Sequence, residues 1–169
     1  MIILKIVILV GIVSICSYLG ILKSKTFENR VVELRKIQSS LSMFKTKIEF
    51  TYEPIKDIFE EISNIIYQKE NNIFQNTVDF MQVQNVSTAW YEAVESMKND
   101  FTIEDKETLK TMGKLLGQTD KIGQIREICL TENLLGNQIQ KAEIEKNKNV
   151  KLYKTLGTVF GLGIGILFM

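Results

Sequence analysis

The chain has 169 residues, 45% of them hydrophobic and 24% charged, with a mean hydropathy of +0.03 and a formal charge of +1. That hydropathy fits a soluble part joined to membranous segments. There are no histidines, two cysteines and one proline, which largely excludes His-based catalysis, His-containing metal sites, cysteine-rich zinc modules and a disulfide scaffold.

Ile6 to Leu22 is an uncharged run of 17 residues, with apolar Met1 to Leu4 ahead of Lys5. As a helix it is long enough to enter and cross the ~30 Å hydrocarbon core. A secretory signal competes for the same segment. Tyr18-Leu19-Gly20, however, puts a large residue where cleavage wants a small one, and Ile15 before Cys16 is too bulky for a lipoprotein site. Residues 1–25 therefore read as an uncleaved transmembrane anchor.

Phe27, Val31, Leu34, Ile37, Leu41, Phe44 and Ile48 recur every three or four residues, one apolar stripe on an amphipathic helix. Pro54 sits at a helix start, and Ile55, Ile58, Phe59, Ile62, Ile65 and Ile66 form a second stripe, so the two helices should make a hairpin. Asn71 and Asn72 interrupt. A shorter helix follows with Phe74, Thr77, Val78 and Met81 on one face. Ser87 reads as the N-cap of Thr88 to Met97, which presents Ala89, Trp90, Ala93, Val94 and Met97.

Thr102 and Asp105 fit a capping pattern, and the helix behind them runs through Leu109, Met112, Leu115 and Leu116 to Gly117. Thr119 or Asp120 caps the next, which carries Ile122, Ile125, Ile128, Cys129, Leu135, Ile139 and Ala142. Gly123 and Gly136 weaken it by about 1 kcal/mol each without stopping it. No segment combines β-branched residues, alternation and hairpin turns. The expected fold is all-α: a cytoplasmic helical bundle of about six helices over residues 26–150, flanked by transmembrane helices at 1–25 and 151–169.

Thr155 to Met169 carries no charge. Alone it is short of a full span, but Lys151 and Lys154 can snorkel and the bilayer can thin. Gly157, Gly161 and Gly165 recur every four residues and leave bare backbone on one helix face, a candidate for close membrane helix packing. Lys23, Lys25 and Arg30 follow the first span; Lys141, Lys146, Lys148, Lys151 and Lys154 precede the second. Both clusters face the middle, which places it in the cytoplasm with both termini outside. A lipid headgroup patch is compatible with the same topology.

Carboxylates cluster at Asp57, Glu60 and Glu61, at Glu92 and Glu95, and at Glu104, Asp105 and Glu107, alternating with lysines as solvated helix faces do. No phosphate-binding glycine loop occurs. All 20 acidic residues lie between Glu28 and Glu145, so the middle is net negative and nucleic acid is not an expected partner. Cys16 and Cys129 read as packing residues and Trp90 as a core anchor. Neither enzymatic activity, a cofactor nor a metal is expected.

Three passages carry a resemblance: KIEFTYEPI from Lys47 to Ile55, the dipeptide Ala89-Trp90, and MGKLLGQTDKIGQ from Met112 to Gln124. With hydrophobic segments at both ends, the chain resembles the stage III sporulation protein AB family of endospore-forming bacteria over nearly its whole length. The most specific part is Gly113, Leu116, Gly117, Asp120 and Gln124, although Lys47 stands where the family pattern has a glutamate. The resemblance implies a non-enzymatic membrane platform, similar to that of type II secretion and type IV pilus machines, required for endospore formation. It further implies docking of a secretion-type ATPase, contact with other membrane subunits of a channel between mother cell and forespore, and residence in the outer forespore membrane. A homo-oligomer is left open. The alternative is a membrane-tethered helical regulator that senses a ligand or enzyme, unrelated to secretion. The five motif residues read either as a tight helix-helix corner or as a partner surface, since a cap and an interface use the same polar groups.

Overall fold

The computed structural model describes residues 2–67 and 72–167, with side chains described for 9–67 and 72–164. Asn71 lies outside the described residues. Among those described there are six helices and no strand: α1 (Ile2–Phe50), α2 (Ile55–Ile66), α3 (Ile73–Phe80), α4 (Val86–Ser96), α5 (Ile103–Gly113) and α6 (Lys121–Leu167). Two compact units result, one formed by Glu33–Ile139 and one by Met1–Val32 with Gln140–Met169.

In the unit Glu33–Ile139, the α1 stripe buries Leu34, Ile37, Leu41 and Phe44. Phe44 meets Phe59 of α2 at 4.8 Å between ring centres, and Phe59 meets Phe74 of α3 at 5.3 Å and Trp90 of α4 at 5.5 Å. Four helices thus converge on one ring, in offset and edge contacts worth about 0.5–1.5 kcal/mol each beyond area burial. Lys47 holds α1 to α2 through Glu61 at 2.6 Å and reaches Glu53 in the connection at 3.5 Å.

The helix starts are locally encoded. The Asn72 side chain accepts from Phe74 N and Gln75 N to cap α3, while its Nδ2 donates to buried Ser63 of α2 at 3.2 Å. Thr102 and Asp105 exchange both bonds of a capping box at the start of α5. This explains why the Asp105 carboxylate is fully buried although its neighbours Glu104 and Glu107 are exposed.

Three expectations need correction. The N-cap of α4 is Asn85, whose Oδ1 accepts from Thr88 N at 3.0 Å; the backbone bond from Ala89 N to Asn85 O already closes the first turn there, so Ser87 lies inside the helix. Ile65 is 55% exposed because Ser63, bonded to Asn72 and Gln75, occupies that inward position instead. Ile122 is 67% exposed. Helix α6 reaches the core only at Ile128, and every residue from Lys121 to Glu127 is at least partly exposed, so Ile122 lies in a first turn that nothing covers.

In the other unit the two chain ends run antiparallel. Phe27 stacks on Tyr153 at 5.7 Å, Arg30 pairs with Glu145 at 2.6 Å, and Glu28 pairs with Lys154 at 3.5 Å. Further along, Gly20 and Gly157 face each other, and a Cβ added to Gly157 would stand 2.7 Å from the Cys16 carbonyl oxygen. One added to Gly161 would stand 2.8 Å from Val13 Cα. The glycines therefore allow a backbone approach that any side chain would block. The surroundings of Gly165 lie outside the described residues. Among the described residues, α1 is the one helix long and apolar enough to cross a membrane.

Candidate functional site

The five motif residues close the passage from α5 to α6. Helix α5 ends at Gly113, four residues earlier than the expected Gly117, and the chain continues in tight turns with bonds from Lys114 N to Thr111 O and from Leu116 N to Gly113 O. Gly113 is buried under α4, and a Cβ there would overlap Cδ1 of Trp90. Leu116 is the last inward residue of the turn, 2% exposed, whereas Leu115 is 38% exposed.

Gly117 has φ +71°, the left-handed region that favours glycine, and a Cβ there would also meet Val86 Cγ1 at 2.8 Å. The bare positions Gly113 and Gly117 are thus approached by two side chains of the same helix, α4. Asp120, exposed, caps α6 by accepting from Gly123 N at 2.9 Å. Gln124 Nε2 donates to the Thr119 carbonyl at 3.1 Å, while its Oε1 is buried without a partner.

Around this corner stand residues that the sequence motif does not contain. Lys121 donates to the Glu49 carbonyl at 2.5 Å and lies 5.5 Å from the centre of the Tyr52 ring, tying the start of α6 to the end of α1. Tyr52 is fully exposed, Phe50 is 75% exposed, and Ile122 beside Lys121 is also outward. A shallow groove along α1, lined by Ser39, Ser42, Met43 and Thr46, ends at Phe50. The signal for this cluster is an aromatic pair that straddles the end of α1, Phe50 in its last position and Tyr52 in the connection ahead of Pro54, which helical periodicity does not score.

The carboxylate clusters are taken up by structural pairs: Glu60 with Lys56, Glu61 with Lys47, and Glu95 and Glu107 with Lys110. Lys110 is nearly buried, and its hydrogen bonds to Glu107 first and Glu95 second raise its pKa above the ordinary lysine value. Among the described residues no three potential metal ligands converge. Cys16 and Cys129 are free and half-buried. Trp90 is fully buried, with its Nε1 donating to the Leu109 carbonyl at 2.7 Å.

The profile of the family described as stage III sporulation protein AB matches residues 5–169. Stage III sporulation protein AB of Bacillus subtilis (strain 168) is 25% identical over 170 residues, covering 98% of this chain and 99% of that protein. A solved structure of a stage III sporulation protein AB shares the fold, with a TM-score of 0.63 at 21% identity, over 69% of this chain and 95% of the other.

Proposed function

The chain belongs to the stage III sporulation protein AB family, and from that premise we propose that it is a membrane platform subunit without catalytic activity of its own. Its helical bundle faces the cytoplasm and docks a secretion-type ATPase. Other membrane subunits of the channel between mother cell and forespore gather on the same protein, which resides in the outer forespore membrane. The observation that carries this reading is the exposed cluster of Phe50, Tyr52 and Ile122 around Lys121. Aromatic and long apolar side chains left outside a core, with a cation among them and exposed Asp120 at the edge, have the composition of an interface centre and rim.

Exposed apolar residues on both end helices support the platform role. Val10, Ile15, Tyr18 and Leu19 of α1 and Val159, Phe160 and Leu162 of α6 are apolar and exposed on the protein, as residues facing lipid are. Both basic clusters face the bundle, which favours a cytoplasmic side for it.

Co-purification with the tagged full chain from sporulating cells tests the reading. Recovery of a secretion-type ATPase with other membrane subunits is expected. A Tyr52→Ala, Ile122→Ser protein should keep its melting temperature and its membrane subunits while losing the ATPase. Absence of any ATPase from the wild-type eluate overturns the proposal.

A further inference from the structure

Most lysines of the unit Glu33–Ile139 that lie near carboxylates are paired with them, as Lys36 is with Glu33, Lys45 with Glu132, Lys47 with Glu61 and Lys110 with Glu95. The unit formed by the chain ends differs. Where the apolar run of α1 stops at Leu22 and that of α6 begins at Thr155, the helices carry Lys23, Lys25, Lys146, Lys148 and Lys151. None of these five has a carboxylate within ion-pair distance among the described residues; Lys154 pairs with Glu28, and Lys23 lies 6.0 Å from the centre of the Phe27 ring. The two helices are held side by side at this level by the Phe27–Tyr153 stack, so the cations of α1 and α6 belong to one collar.

From this juxtaposition we infer that the collar binds the headgroups of anionic phospholipids, selecting them over zwitterionic ones in the surrounding layer. The chemistry fits at three levels. Unpaired ammonium groups on flexible stems reach a phosphate without breaking an existing ion pair. Their position at the end of the apolar stretches is headgroup depth, where long side chains snorkel. Tyr153, amphipathic and half-buried against Phe27, anchors the same level. Positive-inside orientation alone requires only that these charges stay on one side of the membrane; it requires no preference among lipids. A lysine near an anionic surface contributes about a fivefold partition factor, so several together give a measurable enrichment even after exchange among many annular positions.

The inference rests on α1 crossing the membrane and is independent of any ATPase. The full chain is reconstituted in phosphatidylcholine vesicles holding a trace of spin-labelled phosphatidylglycerol or spin-labelled phosphatidylcholine, and electron spin resonance reads the motionally restricted fraction of each. A severalfold higher relative association for phosphatidylglycerol is expected. It should fall to near one in 1 M salt and in a Lys23→Gln, Lys25→Gln, Lys148→Gln, Lys151→Gln protein. The matching lysine-to-arginine protein should retain it, as should Lys98→Gln, Lys114→Gln, which removes two exposed cations elsewhere. Should the quadruple variant fail to fold, Lys25→Gln and Lys148→Gln singly should each give a partial loss. Equal association of the two lipids with the wild-type chain overturns the inference, as does selectivity that survives the quadruple substitution. Millimolar glycerol 3-phosphate should leave the selectivity unchanged; its abolition would identify a site for free phosphate and sink the lipid reading.

Discussion

The indole of Trp90 lies against the bare backbone of Gly113 while its Nε1 donates to the carbonyl of Leu109, so one side chain of α4 is fixed by two positions one turn apart on α5. The ring is wholly buried and also contacts Phe59 and Phe74. It has no room to retreat.

Gly113→Ala should therefore destabilise the fold despite the better helix propensity of alanine. Overpacking of a fixed core costs about 1–3 kcal/mol, more than the ~1 kcal/mol that propensity returns at a helix interior. Chemical denaturation of the two proteins in the same detergent checks this. An unchanged or higher midpoint for the alanine protein would show that the ring moves.

Gly117→Val combines a left-handed φ with a collision at Val86, and a loss of about 1–3 kcal/mol is expected. Gln124→Ala is different. It removes one bond to Thr119 but also a buried oxygen that has no partner, so the two effects oppose and the melting temperature should stay close to that of the wild type. Thermal melts read both. If Gln124→Ala also weakens ATPase capture at unchanged stability, Gln124 contributes to docking as well as to the corner.

Acid and base should strain the α4–α5 junction from opposite ends. The hydrogen bond from Lys110 holds the Glu95 carboxyl below the ordinary glutamate range. Its contribution is full above the unfolded value of about 4.3 and is lost as the pH falls through the lower folded value. Lys110 is raised, so its contribution is full below about 10.4 and is lost as the pH rises through its folded value. A Glu95→Gln protein should show a shallower fall of melting temperature below about pH 4.3, small in size because Glu95 is half exposed. Parallel acid slopes in the two proteins would contradict it.

Topology is accessible through Val83, which is 85% exposed in the connection between α3 and α4. A Val83→Cys protein should be labelled by an impermeant thiol reagent only after the cells are opened, as the proposed cytoplasmic orientation requires. Reaction in intact cells above the background of Cys16 and Cys129 would invert the orientation.

How legible a feature is in the amino-acid sequence depends on how local it is. The α1 stripe and the Thr102–Asp105 capping box rest on spacings of three and four residues, and both stand in the structure. The choice of Asn85 over Ser87 is not readable from spacing, because both are good N-caps and the decision falls to the register in which Ala89 and Trp90 reach the core. The polar members of the inward faces, Ser63, Thr131 and Gln138, escape a pattern search that scores only apolar residues. The glycine positions of the corner are plain in the sequence, but their neighbour α4 is not, since contact with Trp90 and Val86 is tertiary. Phe50 and Tyr52 are missed for the opposite reason: they join no stripe.

The pairing of the chain ends also sets an order of events during synthesis. Arg30 and Glu145 are separated by 115 residues, and Gly20 waits longer still for Gly157. At ribosomal rates of about 5–20 residues per second, that interval is on the order of ten seconds. If α1 crosses the bilayer as proposed, its face of Val13, Cys16 and Gly20 must therefore meet lipid chains long before the Gly157 and Gly161 face that covers it exists. During that window the same face of α1 is open to any other small-residue helix in the same membrane.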